Sequence, residues 1–146
     1  MKLLVCVDLS EATEKVVTKV EDFTKTLPAK VWLLHVTEPE PDYVGFDMET
    51  EAVRDALAKR FHGEHRQIQE IADRLRKADL DTTALLVQGA TVETILNEAS
   101  KLDVDMIVVG SHGRGAMYQL LVGSVSEGVL HESECPILVV PTHERI

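Results

Sequence analysis

Five short apolar runs, separated by stretches of helical periodicity, constrain this chain more than any other feature of it. The runs are residues 2–8, 31–36, 82–87, 105–109 and 137–140, lengths that suit strands rather than helices. Between the first two, Ala12, Val16, Val20, Phe23 and Leu27 recur on one helical face, with Ser10 as N-cap and Pro28 beyond the end. A long amphipathic helix is predicted from about Glu49 to Lys77, with Val53, Leu57, Phe61, Ile68, Ile71 and Leu75 inward and Gly63 a candidate break. Val92, Ile95, Leu96, Ala99 and Leu102 mark a third helix, and residues 124–132 a fourth. Strands alternating with helices predict an α/β fold, a parallel sheet covered on both faces. Right-handed crossovers leave few topologies open. The favoured one is a three-layer α/β/α, doubly wound, Rossmann-like sheet of five parallel strands in the order 3-2-1-4-5. No repeat, low-complexity segment or linker interrupts the pattern, so residues 1–146 read as one domain.

Composition limits what such a domain binds. With 45% hydrophobic and 27% charged residues this is the make-up of an ordinary globular protein. No apolar run approaches the roughly 20 residues of a membrane span, and no signal-peptide pattern opens the chain. The expectation is a cytoplasmic protein that is not embedded in a membrane. A net charge of −10 speaks against general nucleic-acid binding, which needs a basic face. Cys6 and Cys135 form no CxxC or zinc pattern, and Cys6 reads as a small core residue.

The strongest pointer to a ligand is Gly110-Ser-His-Gly113-Arg-Gly115, followed by Gly123-Ser124. It begins where the fourth apolar run stops and ends where a helix begins. Glycines there let a ligand approach main-chain N–H groups, and an N–H-rich loop entering a helix attracts anions, phosphate first among them. In the 3-2-1-4-5 order the first and fourth strands lie side by side at the switch point, where open sheets of this class bind ligands. Asp8 ends one of these strands and Gly110 the other.

Gly110-x-x-Gly113, nine residues and then Gly123-Ser124 is similar to the G-2x-G-9x-G-S/T signature of the ATP-binding branch of the universal stress proteins. Leu4-Val-Cys-Val-Asp-Leu-Ser10 resembles that family's opening strand and D-x-S turn, with Leu9 where glycine is common. Leu34-His-Val36 resembles the end of its second strand, and Cys135-Pro-Ile-Leu-Val-Val140 its last. The resemblance implies a bound ATP accompanied by Mg2+ or Mn2+. It implies that Val7 and Asp8 lie near the adenosine, that the Val36 main chain meets adenine, and that Val109 and Gly110 line the ribose–phosphate path. It further implies a phosphate cradle of Gly113, Gly123, Ser124 and Val125, with His112 reaching a phosphate when protonated; Arg114, in the same loop, is a second candidate cation on its charge alone. Family members act in stress resistance, and some regulate other systems such as membrane transport, so a nucleotide-dependent regulatory or signalling role with an unidentified protein partner is expected.

The alternative is a slow ATP hydrolase or nucleotidyl-transfer enzyme using the same pocket. The chain has no G-x-x-x-x-G-K-S/T and hence no P-loop lysine, so at most weak hydrolysis is expected, with no catalytic residue assigned. His62 and His65 share a helix face without a third ligand and read as solvated; His35 reads as a satisfied, partly buried histidine. No metal-ligand set is assigned. The last run, Ile137–Val140, is the expected sheet edge, and its pairing with a second copy predicts a homodimer, with larger assemblies through Met117, Tyr118, Leu120 and Leu121 as an extension.

Overall fold

A computed structural model describes residues 1–38, 51–111 and 124–142. In chain order these form β1 (Lys2–Cys6), α1 (Ala12–Thr24), β2 (Lys30–Thr37), α2 (Glu51–Lys77), β3 (Asp81–Gln88), α3 (Thr91–Leu102), β4 (Met106–Gly110), α4 (Ser124–Glu132) and β5 (Ile137–Val140). The sheet order is β3-β2-β1-β4-β5. Every neighbouring pair is parallel, as the alternation of strand and helix required.

Because strands buried on both faces have no polar side, the central runs read as continuous apolar sequence. Successive residues then serve two cores. Leu3, Val5, Leu33 and Val108 pack beneath α1 and α2 with Val17, Val20, Ile68 and Leu75. Leu4, Leu34, Ile107 and Val109 pack beneath α3 and α4 with Ile95 and Val129. Arg74 of α2 bridges Glu14 at 2.7 Å and Glu21 at 2.6 Å, clamping α1 to α2 along their outer edge.

The departures from expectation are local and have causes. Gly63 breaks nothing: α2 is continuous from Glu51 to Lys77, and a Cβ at Gly63 would meet no atom within 4 Å. A mid-helix glycine costs only about 1 kcal/mol, which the buried Ile68, Ala72 and Leu75 outweigh. The predicted start near Glu49 lies outside the described residues. Helix α1 ends at Thr24, short of Leu27, where the Thr24 hydroxyl bonds back to the Val20 carbonyl at 2.6 Å and Leu27 N–H closes a turn on the Thr24 carbonyl at 3.3 Å. Strand β1 ends at Cys6 rather than Asp8, for a reason that lies in the site itself.

Candidate functional site

Strands β1 and β4 are neighbours that leave the sheet in different directions. The chain runs from β1 into α1 on one face and from β4 towards α4 on the other. Their C-terminal ends therefore part and leave a crevice at the switch point. Each wall is built by hydrogen bonds that fix a turn.

On the β1 side, Asp8 Oδ1 accepts from Ser10 N–H at 3.0 Å and from the Ser10 hydroxyl at 2.5 Å. The Ser10 hydroxyl oxygen in turn accepts from Ala12 N–H at 3.2 Å, a bond at the start of α1 made one residue before Glu11, which takes the N-cap place the sequence suggested for Ser10. This turn forces Leu9 into the left-handed region at φ 61°. A glycine would sit there without strain; a leucine costs about 1–2 kcal/mol, offset in part by packing of its side chain on the α1/α2 core. That backbone requirement accounts for glycine at the matching place in the D-x-S turn.

On the β4 side, Gly110 is the last strand residue and its carbonyl accepts from the buried Ser126 hydroxyl, two residues into α4. Ser111 N–H donates to the Val140 carbonyl at 2.8 Å, and the Ser111 hydroxyl accepts from Thr142 N–H at 3.0 Å. Ser126 and Ser111 thus lock the place where the chain leaves β4 to the start of α4 and to the end of β5. Sequence reasoning missed both, because a serine in a helical or post-strand position has no periodic signature. The spacing Ser124-x-Ser126 at a helix start was the available signal.

The third strand end holds a small polar network. His35, 10% exposed in its side chain, places Nδ1 2.9 Å from the Val7 carbonyl and Nε2 3.3 Å from Glu64 Oε2 of α2. The Thr37 hydroxyl donates to the same carboxylate, and Arg60 Nε donates to its other oxygen at 3.1 Å. Burial opposes charge on Glu64, but the bonds from Thr37 and Arg60 and the adjacent His35 hold its carboxyl below the usual range. His35 is a satisfied, buried histidine as expected; its partners on α2 were not foreseen.

Among the residues expected to bind a ligand, Val7 and Val109 are buried, Asp8, Val36, Gly110 and Val125 half-buried, and Ser124 exposed at the first turn of α4. The ends of β1, β2 and β4 gather the first five around the crevice, and Ser126 ties α4, with Ser124 and Val125, to Gly110. His112, Gly113, Arg114 and Gly123 lie outside the described residues, as do Met117, Tyr118, Leu120 and Leu121. His62 and His65 are exposed on α2. Burial drives the Cys6 thiol above its usual range, with Cys135 a smaller cause, and Cys6 packs half-buried against the α3/α4 core.

Ser124 and Val125 also line a cavity of about 430 Å³ on the α3 side, whose other lining includes Glu38, Thr91, Glu93 and Glu132. Glu38 caps α3, accepting from Thr91 N–H at 3.0 Å and from its hydroxyl at 2.7 Å, contacts that hold its carboxyl below the usual range. A phosphate placed there would meet carboxylates.

The family model of the universal stress protein family matches residues 1–141. The chain belongs to the universal stress protein family. A universal stress protein from Thermus aquaticus, encoded in the 3′ region of a QAH/OAS sulfhydrylase, is 35% identical over 118 residues, covering 77% of each chain. Universal stress protein MJ0577 from Methanocaldococcus jannaschii is 30% identical over 95% of this chain and 93% of its own. The solved structure of MJ0577 superposes with a TM-score of 0.84, covering 99% of this chain and 97% of that one. A universal stress protein solved in complex with cAMP shares the fold, with a TM-score of 0.70 at 22% identity over 98% of each chain.

Proposed function

We propose that this universal stress protein holds ATP in the crevice between β1 and β4 and acts as a nucleotide-dependent regulatory protein. The observation that carries the reading is the meeting of three strand ends, at Val7-Asp8, Val36 and Gly110, with the start of α4 at the switch point. The adenosine half would lie against Val7, Asp8 and Val36, and the phosphates would run past Gly110 to Ser124 and Val125. The intact G-2x-G-9x-G-S sequence, with His112, Gly113, Arg114 and Gly123, supports the triphosphate over a shorter ligand. The cAMP complex of a relative with this fold supports an adenine nucleotide.

The residues present suit such a ligand. A chain of net charge −10 has few cations to spend on phosphates, so main-chain N–H groups at the glycine loop and helix start supply the positive potential. A divalent ion, Mg2+ or Mn2+, would neutralise phosphate charge when bound, with Asp8 the nearest carboxylate on the β1 wall. The absence of a P-loop lysine from the sequence favours retention of ATP over turnover. The same reading pairs two copies through β5, the edge of the sheet. The Pro136 carbonyl accepts from Ile107 and the Val140 carbonyl from Ser111, so by strand alternation Ile137 and Val139 direct their N–H groups outward. Val139→Pro therefore removes a donor from the free side alone. It yields monomer in sedimentation velocity if β5 pairing builds the dimer; an unchanged dimer rejects that arrangement.

Titration calorimetry with Mg-ATP, on protein first stripped of any nucleotide it retains, tests the binding claim. Saturable binding of one ATP per chain, with turnover far slower than about 1 per second, is the expected result. Turnover at that rate or faster would favour the hydrolase or nucleotidyl-transfer reading.

A further inference from the structure

Main-chain groups along a strand point alternately to its two neighbours. On β2, the Leu34 carbonyl accepts from Val7 N–H at 2.9 Å on the β1 side, and the Thr37 carbonyl accepts from Gly89 N–H at 3.0 Å on the β3 side. Val36 therefore turns both its N–H and its C=O towards β1. The next rung of a parallel ladder would run from Val36 N–H to the Val7 carbonyl. Pairing ends instead at Cys6 and Leu34, and the Val7 carbonyl accepts from His35 Nδ1 at 2.9 Å. A side chain has taken the place of a ladder bond, at the strand end that faces the crevice.

We propose that His35 is a positioning residue that sets base specificity: by occupying the Val7 carbonyl it keeps the Val36 main chain turned to the crevice as a donor–acceptor pair for adenine. The proposal rests on the nucleotide reading above and assigns a role to a side chain that would not touch the ligand. Adenine presents an acceptor, N1, beside the donor amino group on C6. Guanine presents the reverse, a donor at N1 and an acceptor at O6. A single residue offering N–H and C=O side by side matches the first pattern and opposes the second. If Val36 N–H closed onto Val7, half of that pair would be consumed.

The network on α2 holds the ring in this role. Glu64 Oε2 lies 3.3 Å from Nε2, and Glu64 is itself fixed by Thr37 and by Arg60 at 3.1 Å. With Nδ1 donating to the Val7 carbonyl and Nε2 beside the Glu64 carboxylate, the ring is held in one orientation. Rotation of the ring would leave the buried Val7 carbonyl without its partner, a costly vacancy.

The test combines ATP and GTP titrations with amide exchange. Wild type prefers ATP, and His35→Leu lowers the ATP-to-GTP affinity ratio by about tenfold, the worth of one hydrogen bond. His35→Asn, whose amide nitrogen can stand where Nδ1 does, keeps the ratio within about threefold of wild type on the same scale. An unchanged ratio in His35→Leu, or a loss in His35→Asn as large as that in His35→Leu, overturns the proposal. Exchange in the wild-type protein requires no variant to fold. Without nucleotide the Val36 amide exchanges at least about tenfold faster than that of Leu34, and saturating ATP slows it. Equal protection of Val36 and Leu34 without nucleotide overturns the proposal. Wild-type protein that binds neither nucleotide defeats both the functional reading and this inference; binding with an unaltered ratio in His35→Leu defeats the inference alone.

Discussion

Replacing Glu64 with glutamine isolates the energy stored in the His35 network, because size and shape are kept while the charge is removed. The carboxylate is 15% exposed and accepts from Thr37 and from Arg60 at 3.1 Å, beside His35 at 3.3 Å. Bonds to a charged acceptor contribute about 1.5–3 kcal/mol each when shielded, but Arg60 is 37% exposed and its bond counts for little. Glutamine retains one acceptor and turns an amide donor towards Arg60 or His35, and the desolvation cost of the charge is recovered. The net expected loss is about 2 kcal/mol at pH 7, or roughly 6 °C in Tm for a chain of this size. The pH dependence follows from the lowered folded-state pKa of Glu64. A depressed carboxyl stabilises the fold above its unfolded pKa of about 4.3, and the benefit fades as pH falls through the lower folded value. Urea unfolding of wild type and Glu64→Gln should therefore differ by about 2 kcal/mol from pH 7 to about pH 5, with the gap closing below about pH 4. A gap under about 0.5 kcal/mol at pH 7, or one that is the same at about pH 3.5, refutes the reasoning.

Three further substitutions probe the walls of the site. Leu9→Gly relieves the left-handed backbone but forfeits half-buried apolar area, so stability stays within about 1 kcal/mol of wild type, whereas β-branched Leu9→Ile loses about 1–2 kcal/mol in urea unfolding. Ser126→Ala leaves the Gly110 carbonyl unpaired and costs about 1–3 kcal/mol by the same assay, with a parallel loss of ATP affinity in calorimetry because α4 is no longer tied to β4. A Cβ on Gly128 would come within 2.8 Å of Val92 Cγ2, so Gly128→Ala destabilises by about 1–2 kcal/mol; adding Val92→Ala recovers much of this, and a double-mutant cycle reads the coupling.

Alternating apolar runs and helical stretches made the strand order legible, since connection chirality leaves little freedom once five buried strands are in view. The crevice was legible for the same reason: placing β1 beside β4 brings Asp8 to Gly110 whatever the side chains do. Side chains that replace main-chain bonds were not legible. The run through Asp8 looked like strand, but His35 takes the Val7 carbonyl and the ladder stops at Cys6. Glu64 gave no sign of its role, because its partners Thr37 and His35 lie on another element, 27 and 29 residues back in sequence. Ser126 reads as one more small residue on a helix until the Gly110 carbonyl is seen beneath it. Leu9 was marked by resemblance alone, and its φ of 61° supplies the physical reason for the glycine it replaces.

The central claim, that the β1/β4 crevice of this universal stress protein holds ATP, is tested most directly by native mass spectrometry of protein purified without added nucleotide. The account predicts chains that each carry the mass of one ATP, lost on denaturation. Chains at their bare mass, which stay bare after incubation with Mg-ATP, would contradict it.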